Sequence, residues 1–125
     1  MQRRDFIRAG TALGAAAMLP FPLEGYARSD KVRIGFIGVG LRGREHIRNL
    51  LGRDDVLVPA ICDLDPEALD LSQSLITGAG QAAAESYSGD DHAYREMLDR
   101  GKLDGVIIST PWRWHATMAV DAMRA

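Results

Sequence analysis

Cysteine is almost missing from this chain. Cys62 is the only one in 125 residues, which excludes an internal disulfide and any metal site built from several cysteines. There is no run of basic residues, and the net charge is −2, so bulk electrostatics gives no sign of a nucleic-acid partner. Also missing are a metal-ligand cluster, a Walker phosphate loop, a nucleophile elbow and the paired carboxylates of a conventional glycosidase. No internal repeat or low-complexity tract interrupts it. What remains, 26% charged and 46% hydrophobic residues, is ordinary globular composition, and the length allows one domain and little more.

The first 27 residues do not read as part of that domain. Arg3, Arg4 and Arg8 precede a small-residue, moderately apolar stretch from Thr11 to Leu23. Gly25-Tyr26-Ala27 then offers small side chains where a signal peptidase inspects them. The apolar stretch is too short for a transmembrane helix and is broken by Pro20 and Pro22, so no stable membrane insertion is expected. Arg3-Arg4-Asp5-Phe6-Ile7 resembles the twin-arginine export signal, which makes the twin-arginine export machinery a partner and the periplasm the destination. Removing residues 1–27 leaves 12 basic and 15 acidic residues.

The organising stretch runs from Val32 to Gly43. Val32, Ile34, Phe36 and Ile37 have the length and residue types of a buried strand. It leads directly into Gly38-x-Gly40-x-x-Gly43 and then a helical pattern from Leu41 to Leu51, with Gly52 closing it. A dinucleotide's diphosphate needs this arrangement: Gly38 for the tight turn, Gly40 to keep a Cβ out of the phosphates' way, and Gly43 for close packing of helix on strand. The helix N-terminus supplies N–H groups and positive partial charge. A second strand, Val56 to Cys62, ends at Asp63, twenty residues beyond Gly43. There a carboxylate accepts hydrogen bonds from the adenosine ribose, and its charge favours NAD over NADP. Leu41 and Arg42 border the same turn, with Arg42 assigned to the pyrophosphate or adenine side.

Pro59 is a difficulty inside the second strand. Either pairing begins after it or its nitrogen faces a gap in the ladder. Asp65-Pro66 opens the next helix, in which Ala68, Ser72, Leu75 and Ile76 share a face and Gly78 closes. Glu85 to Ser88 reads as a short third strand. Asp90 or Asp91 caps a helix bearing Tyr94, Met97 and Leu98, with Gly101 after it. Val106 to Ser109 is the fourth strand, followed by a loop, Thr110-Pro-Trp-Arg-Trp-His115, at the strand edge where ligands bind in open α/β sheets. Trp112 and Trp114 read as ligand walls there. His115 either donates to the cofactor's ribose or diphosphate or caps the last helix. That helix, from His115 to Ala125, is expected to bury Met118, Ala119, Ala122 and Met123, and its abrupt end reads as a fragment of a longer protein. His46 and His92 read as helix-surface histidines and Cys62 as a buried strand residue. The alternation calls for a parallel sheet with helices on both faces, an incomplete Rossmann-type α/β fold over residues 28–125. So short a piece buries a marginal core, and poor folding in isolation is expected.

Taken together, G-F-I-G-V-G-L-R-G, A-I-C-D-L-D-P and V-I-I-S-T-P-W-R-W-H resemble the Gfo/Idh/MocA oxidoreductase family. Within it, Gly40-Leu-Arg-Gly43 and Trp112-x-Trp-His115 look like glycoside hydrolase family 109, the NAD-dependent α-N-acetylgalactosaminidases. The resemblance implies that Leu41, Arg42, Asp63, Trp112, Arg113, Trp114 and His115 touch NAD, and that the catalytic residues and substrate domain lie beyond Ala125. It implies cleavage of N-acetylgalactosaminides by transient oxidation at the sugar's C3, elimination, water addition and re-reduction. An exported sugar oxidoreductase of the same fold is the alternative, and a non-enzymatic dinucleotide-binding module is a third reading. A sugar or glycoside substrate follows from the first two, and a homo-oligomer is compatible with either.

Overall fold

The computed structural model describes residues 31–125, so the twin-arginine leader and the residues just after it lie outside the described residues. Four strands, β1 (Val32–Ile37), β2 (Val56–Cys62), β3 (Glu85–Tyr87) and β4 (Gly105–Ile108), alternate with four helices. These are α1 (Leu41–Leu51), α2 (Pro66–Gly78), α3 (Ala93–Arg100) and α4 (Trp112–Arg124). The sheet is parallel throughout, in the order β3-β2-β1-β4. The chain therefore steps outward from β1 to β3, then returns to lay β4 on the opposite side of β1. At such a reversal the connections diverge above the carboxyl ends of β1 and β4 and leave a crevice.

Side-chain alternation along the central strands fills a core on each face. Phe36, Val58 and Ile61 pack with Ile47 of α1 and with Ala68, Leu69 and Ile76 of α2. Ile37, Ala60 and Cys62 pack on the other face with Tyr87, Tyr94, Met97 and Met118. Burial of each large apolar side chain here contributes about 1.5–3 kcal/mol.

Pro59 sits at an irregularity that satisfies both readings of it. Leu57 pairs with Arg33 and Ala60 with Gly35, so the ladder to β1 slips by one residue across Val58 and Pro59, while pairing to β3 begins only at Ala60. The slip also explains why Val58 and Ala60, two residues apart, face opposite cores. Before β3 arrives, Gln81 stands in for a strand. Its side-chain oxygen accepts from the Val58 N–H at 2.9 Å and its amide donates to the Val56 carbonyl at 3.0 Å.

Several boundaries differ from the sequence reading. Gly78 does close α2, as its last helical residue before the Ala79 C-cap, and the left-handed glycine follows only at Gly80 (φ 86°). His92, not an aspartate, occupies the N-cap of α3, so it is not a helix-surface histidine. Asp90 acts one step earlier, its carboxylate accepting the His92 N–H at 2.7 Å. β4 begins at Gly105 and ends at Ile108, one residue earlier than expected. The segment read as a loop after Pro111 is helical from Trp112, since the proline's fixed φ (−56°) starts the helix there. His115 is thus the fourth helical residue and not its cap. Met123, expected inside, is 79% exposed at the rim of a surface cavity that it shares with Leu98, Leu103 and Val106.

Candidate functional site

The crevice is floored by the turn between β1 and α1. Gly38 adopts φ 89°, and a Cβ on it would stand 2.6 Å from the Ser109 carbonyl oxygen. A Cβ on Gly43 would run into the Gly38 carbonyl, so that glycine is what seats α1 against the turn. Gly40 differs from both. Nothing of the protein lies within 4 Å of a Cβ built there, and the residue borders an open cavity. The fold itself has no need of a glycine at that position; a ligand approaching the backbone does.

That cavity, about 380 Å³, is lined by Gly38, Gly40, Asp63, Leu64, Trp114 and Met118, among others. Asp63 closes β2 and is held from two sides. One carboxylate oxygen accepts the Val39 N–H at 2.8 Å, the other the Asp65 N–H at 2.9 Å. The glycine turn and the entry to α2 are therefore tied through one side chain. Each oxygen keeps a second lone pair, which a ribose hydroxyl can use. Asp90 and Asp91 line the same cavity from the turn after β3. Cys62 lies at its floor; burial, with the Asp63 and Asp90 charges behind it, pushes the thiol up to about 12. A thiol held protonated is no nucleophile.

The first turn of α4 supplies the facing wall, and helical phase separates residues that are adjacent in sequence. Trp114 turns inward, its ring edge-on to His92 at 6.0 Å, with the Arg113 guanidinium 5.9 Å over its face. Trp112 turns away and is 91% exposed. With Arg42, His46 and His115 it lines a second cavity of about 350 Å³, which shares Ser109 and Thr110 with the first.

So the sequence-predicted residues fall into two sets. Gly38, Gly40, Asp63, Arg113 and Trp114 border the first cavity, and Arg42, Trp112 and His115 the second. Gly43 is buried beneath the turn, and Leu41, 81% exposed, lines neither cavity. Arg42 lines the second cavity and makes an exposed ion pair with Glu45 at 2.9 Å. Sequence reasoning missed Asp90, Asp91 and His46. The signals were there: the aspartates follow a strand end as Asp63 does, and His46 is one helical turn from Arg42.

The helix ends complete the electrostatics. α2 is capped by Asp65, which accepts the Glu67 N–H at 3.0 Å, and carries Glu67 in its first turn. α1 and α4, which start at the crevice, have neither a side-chain cap nor an acidic residue in the first turn. Their first N–H groups are left for an anion. An uncapped α1, a glycine opening onto empty space and a strand-end carboxylate together fit a dinucleotide: diphosphate over the turn, ribose at Asp63. Among the described residues no group of three or more His, Cys, Asp or Glu could hold a metal ion.

Comparison with known proteins agrees. Residues 32–125 match the Gfo/Idh/MocA model, described as an oxidoreductase family with an NAD-binding Rossmann fold. The chain belongs to this family. NAD is accordingly its cofactor. A relative named glycosyl hydrolase family 109 protein, from Stenotrophomonas maltophilia, is 42% identical over 127 residues, covering 100% of this chain and 28% of that protein. Another of that name, from Shewanella pealeana, is 46% identical over 98 residues, 78% of this chain and 22% of that protein. The chain thus spans roughly a quarter of the length of these relatives. Among solved structures, myo-inositol 2-dehydrogenase from Lactobacillus plantarum superposes with a TM-score of 0.62 and 26% identity, over 76% of this chain and 26% of that one. The WlbA dehydrogenase from Bordetella pertussis, solved with NADH and UDP-GlcNAcA, gives 0.60 and 25%, over 75% and 26%. Residues 1–20 match the signal sequence of the twin-arginine translocation pathway, which carries the protein across the cytoplasmic membrane to the periplasm. No helix among the described residues is long and apolar enough to cross a membrane.

Proposed function

We propose that this chain is the NAD-binding part of an exported glycoside hydrolase that cleaves N-acetylgalactosaminides. The observation that carries the reading is the 42% identity to a family 109 protein along 100% of this chain. The Trp112-x-Trp-His115 turn supports it. The chemistry NAD supplies when bound is reversible hydride transfer with the sugar, redox-neutral over a whole turnover. That suits the periplasm, where no cytoplasmic pool reoxidises NADH.

In this reading the chain's own residues bind and orient. The first N–H groups of α1 receive the diphosphate across Gly38 and Gly40, and Arg42 leaves Glu45 to meet it. Gly43 keeps α1 close enough for that contact. Asp63 accepts the adenosine ribose hydroxyls with its remaining lone pairs, and Arg113 and Trp114 flank the adenine. Leu41, Trp112 and His115 face the other half of the cofactor. The mature protein begins at Arg28, after cleavage behind Ala27, with the N-terminal part of the NAD-binding domain over residues 28–125. The mass of the exported protein checks that boundary.

The test is an assay of the intact protein on a chromogenic N-acetylgalactosaminide with NAD present. Chromophore release without net NADH is expected. NADH build-up without cleavage would support the second reading, an exported sugar oxidoreductase, which the superposition on inositol dehydrogenase favours.

A further inference from the structure

We propose that Asp90 and Asp91, rather than Asp63 alone, make the cofactor site reject NADP. The inference rests on the reading that the cavity beside Asp63 takes the adenosine half of the cofactor.

Asp63 keeps its charge but carries a second duty. Both its oxygens already accept backbone N–H groups, from Val39 at 2.8 Å and Asp65 at 2.9 Å, so the same carboxylate holds the turn together. It reads ribose hydroxyls with what remains, and its replacement would loosen the glycine turn that the diphosphate needs. Asp90 and Asp91 are placed otherwise. Both are exposed at the rim of the same cavity, on the turn between β3 and α3. Asp90 gives one oxygen to the His92 N–H at 2.7 Å. At the cavity floor, burial first, then Asp63 and, least, Asp90 hold the Cys62 thiol protonated. Arg113, the cation on the opposite wall, lies against the Trp114 ring.

A 2′-phosphate adds a charge of about −1.5 to −2 at the adenosine end. At a separation of about 8 Å, comparable to the Debye length at physiological salt, such a charge still feels a carboxylate at the rim. In water-like surroundings, each carboxylate then weakens NADP binding about 3.3-fold at 10 mM salt and about 1.8-fold at 0.15 M. Together they exclude NADP by about tenfold at low salt and about threefold at 0.15 M. NAD, uncharged at that position, is barely affected.

The experiment measures Kd for NAD and NADP on the intact protein by titration calorimetry, at 10 mM and 0.15 M salt. It compares the wild type with the double variant Asp90→Asn and Asp91→Asn. Asn at position 90 keeps an oxygen for the His92 N–H, so the turn is retained. A second double variant, Asp54→Asn and Asp99→Asn, changes net charge equally at exposed sites away from this cavity. The expected result is that the first variant binds NADP about tenfold tighter at 10 mM and about threefold at 0.15 M. Its NAD affinity should stay within twofold of wild type, and the control variant should change neither. An unchanged NADP affinity beside normal NAD binding would overturn the inference and leave the site reading standing. A gain equal in both variants, or independent of salt, would also overturn it. A wild type that binds no NAD would overturn both.

Discussion

Gly38 and Gly40 stand two residues apart with different obligations. Gly38 is required by the fold, through its φ of 89° and the nearby Ser109 carbonyl; Gly40 is required only by what binds above it. Gly38→Ala should therefore lower the melting temperature markedly. Gly40→Ala should cost under about 1 kcal/mol of stability, as an N-cap change. It should still weaken NAD about tenfold, by displacing the diphosphate from a charge-assisted hydrogen bond. Thermal melts and NAD titrations of both variants check the contrast. Cys62 gives a pH test. Its folded thiol titrates near 12 against an ordinary 9.0, so the stability this adds is complete below pH 9 and is lost as pH climbs toward 12. Alkylation at pH 8 should be slow in the native protein and rapid once it is unfolded. At this scale much of the site could be read in advance. The three glycines and Asp63 carry their spacing with them. Trp112 and Trp114 could not be separated, because which one faces the cavity depends on where α4 starts. Asp90 and Asp91 were read only as caps, since the strand that precedes them is three residues long and shows no pattern.

Elements were legible where periodicity was strong, as in β1, α1 and β2, whose limits match the sequence reading. They were less so where side chains replace backbone. Gln81 completes the ladder of β2 before β3 begins, and Gln73 of α2 does the same for the chain leading into β3, exchanging hydrogen bonds with the backbone of Ala84. No propensity or hydrophobic pattern marks a glutamine that acts as a strand. Gln81→Leu leaves the Val58 N–H and the Val56 carbonyl without these partners and should cost about 1–3 kcal/mol in a denaturant melt. The α3–α4 contact has an acid-sensitive clasp. Tyr94 donates its hydroxyl to Asp121 at 2.6 Å, and Arg95 pairs with the same carboxylate at 3.1 Å. The Tyr94 hydrogen bond first, and Arg95 after it, hold Asp121 below its ordinary 3.8. The stability from this clasp is therefore present above about pH 4 and lost as pH falls through the lowered value. Melting curves between pH 2 and 6 should show this acid slope in the wild type and a shallower one in Asp121→Asn.

At the scale of the molecule, the alternation of strand and helix announced a parallel sheet, and the order β3-β2-β1-β4 adds where the ligand goes. That order brings the uncapped starts of α1 and α4 to one crevice, beside carboxylates delivered by β2 and by the turn after β3. Sequence alone places each of these residues at a strand end. Only the reversal at β1 sets them around one cavity and divides them from Arg42, His46, Trp112 and His115 in the next. The burial of Met123 was misjudged at this same scale, because helical periodicity says which residues share a face but not what lies beneath it. The most direct test of the central claim is a crystal structure of the intact protein grown with saturating NAD. The account predicts the diphosphate on the first-turn N–H groups of α1 over Gly38 and Gly40, with the adenosine ribose hydroxyls on Asp63. NAD bound away from that crevice, or a crevice left empty at saturation, would contradict it.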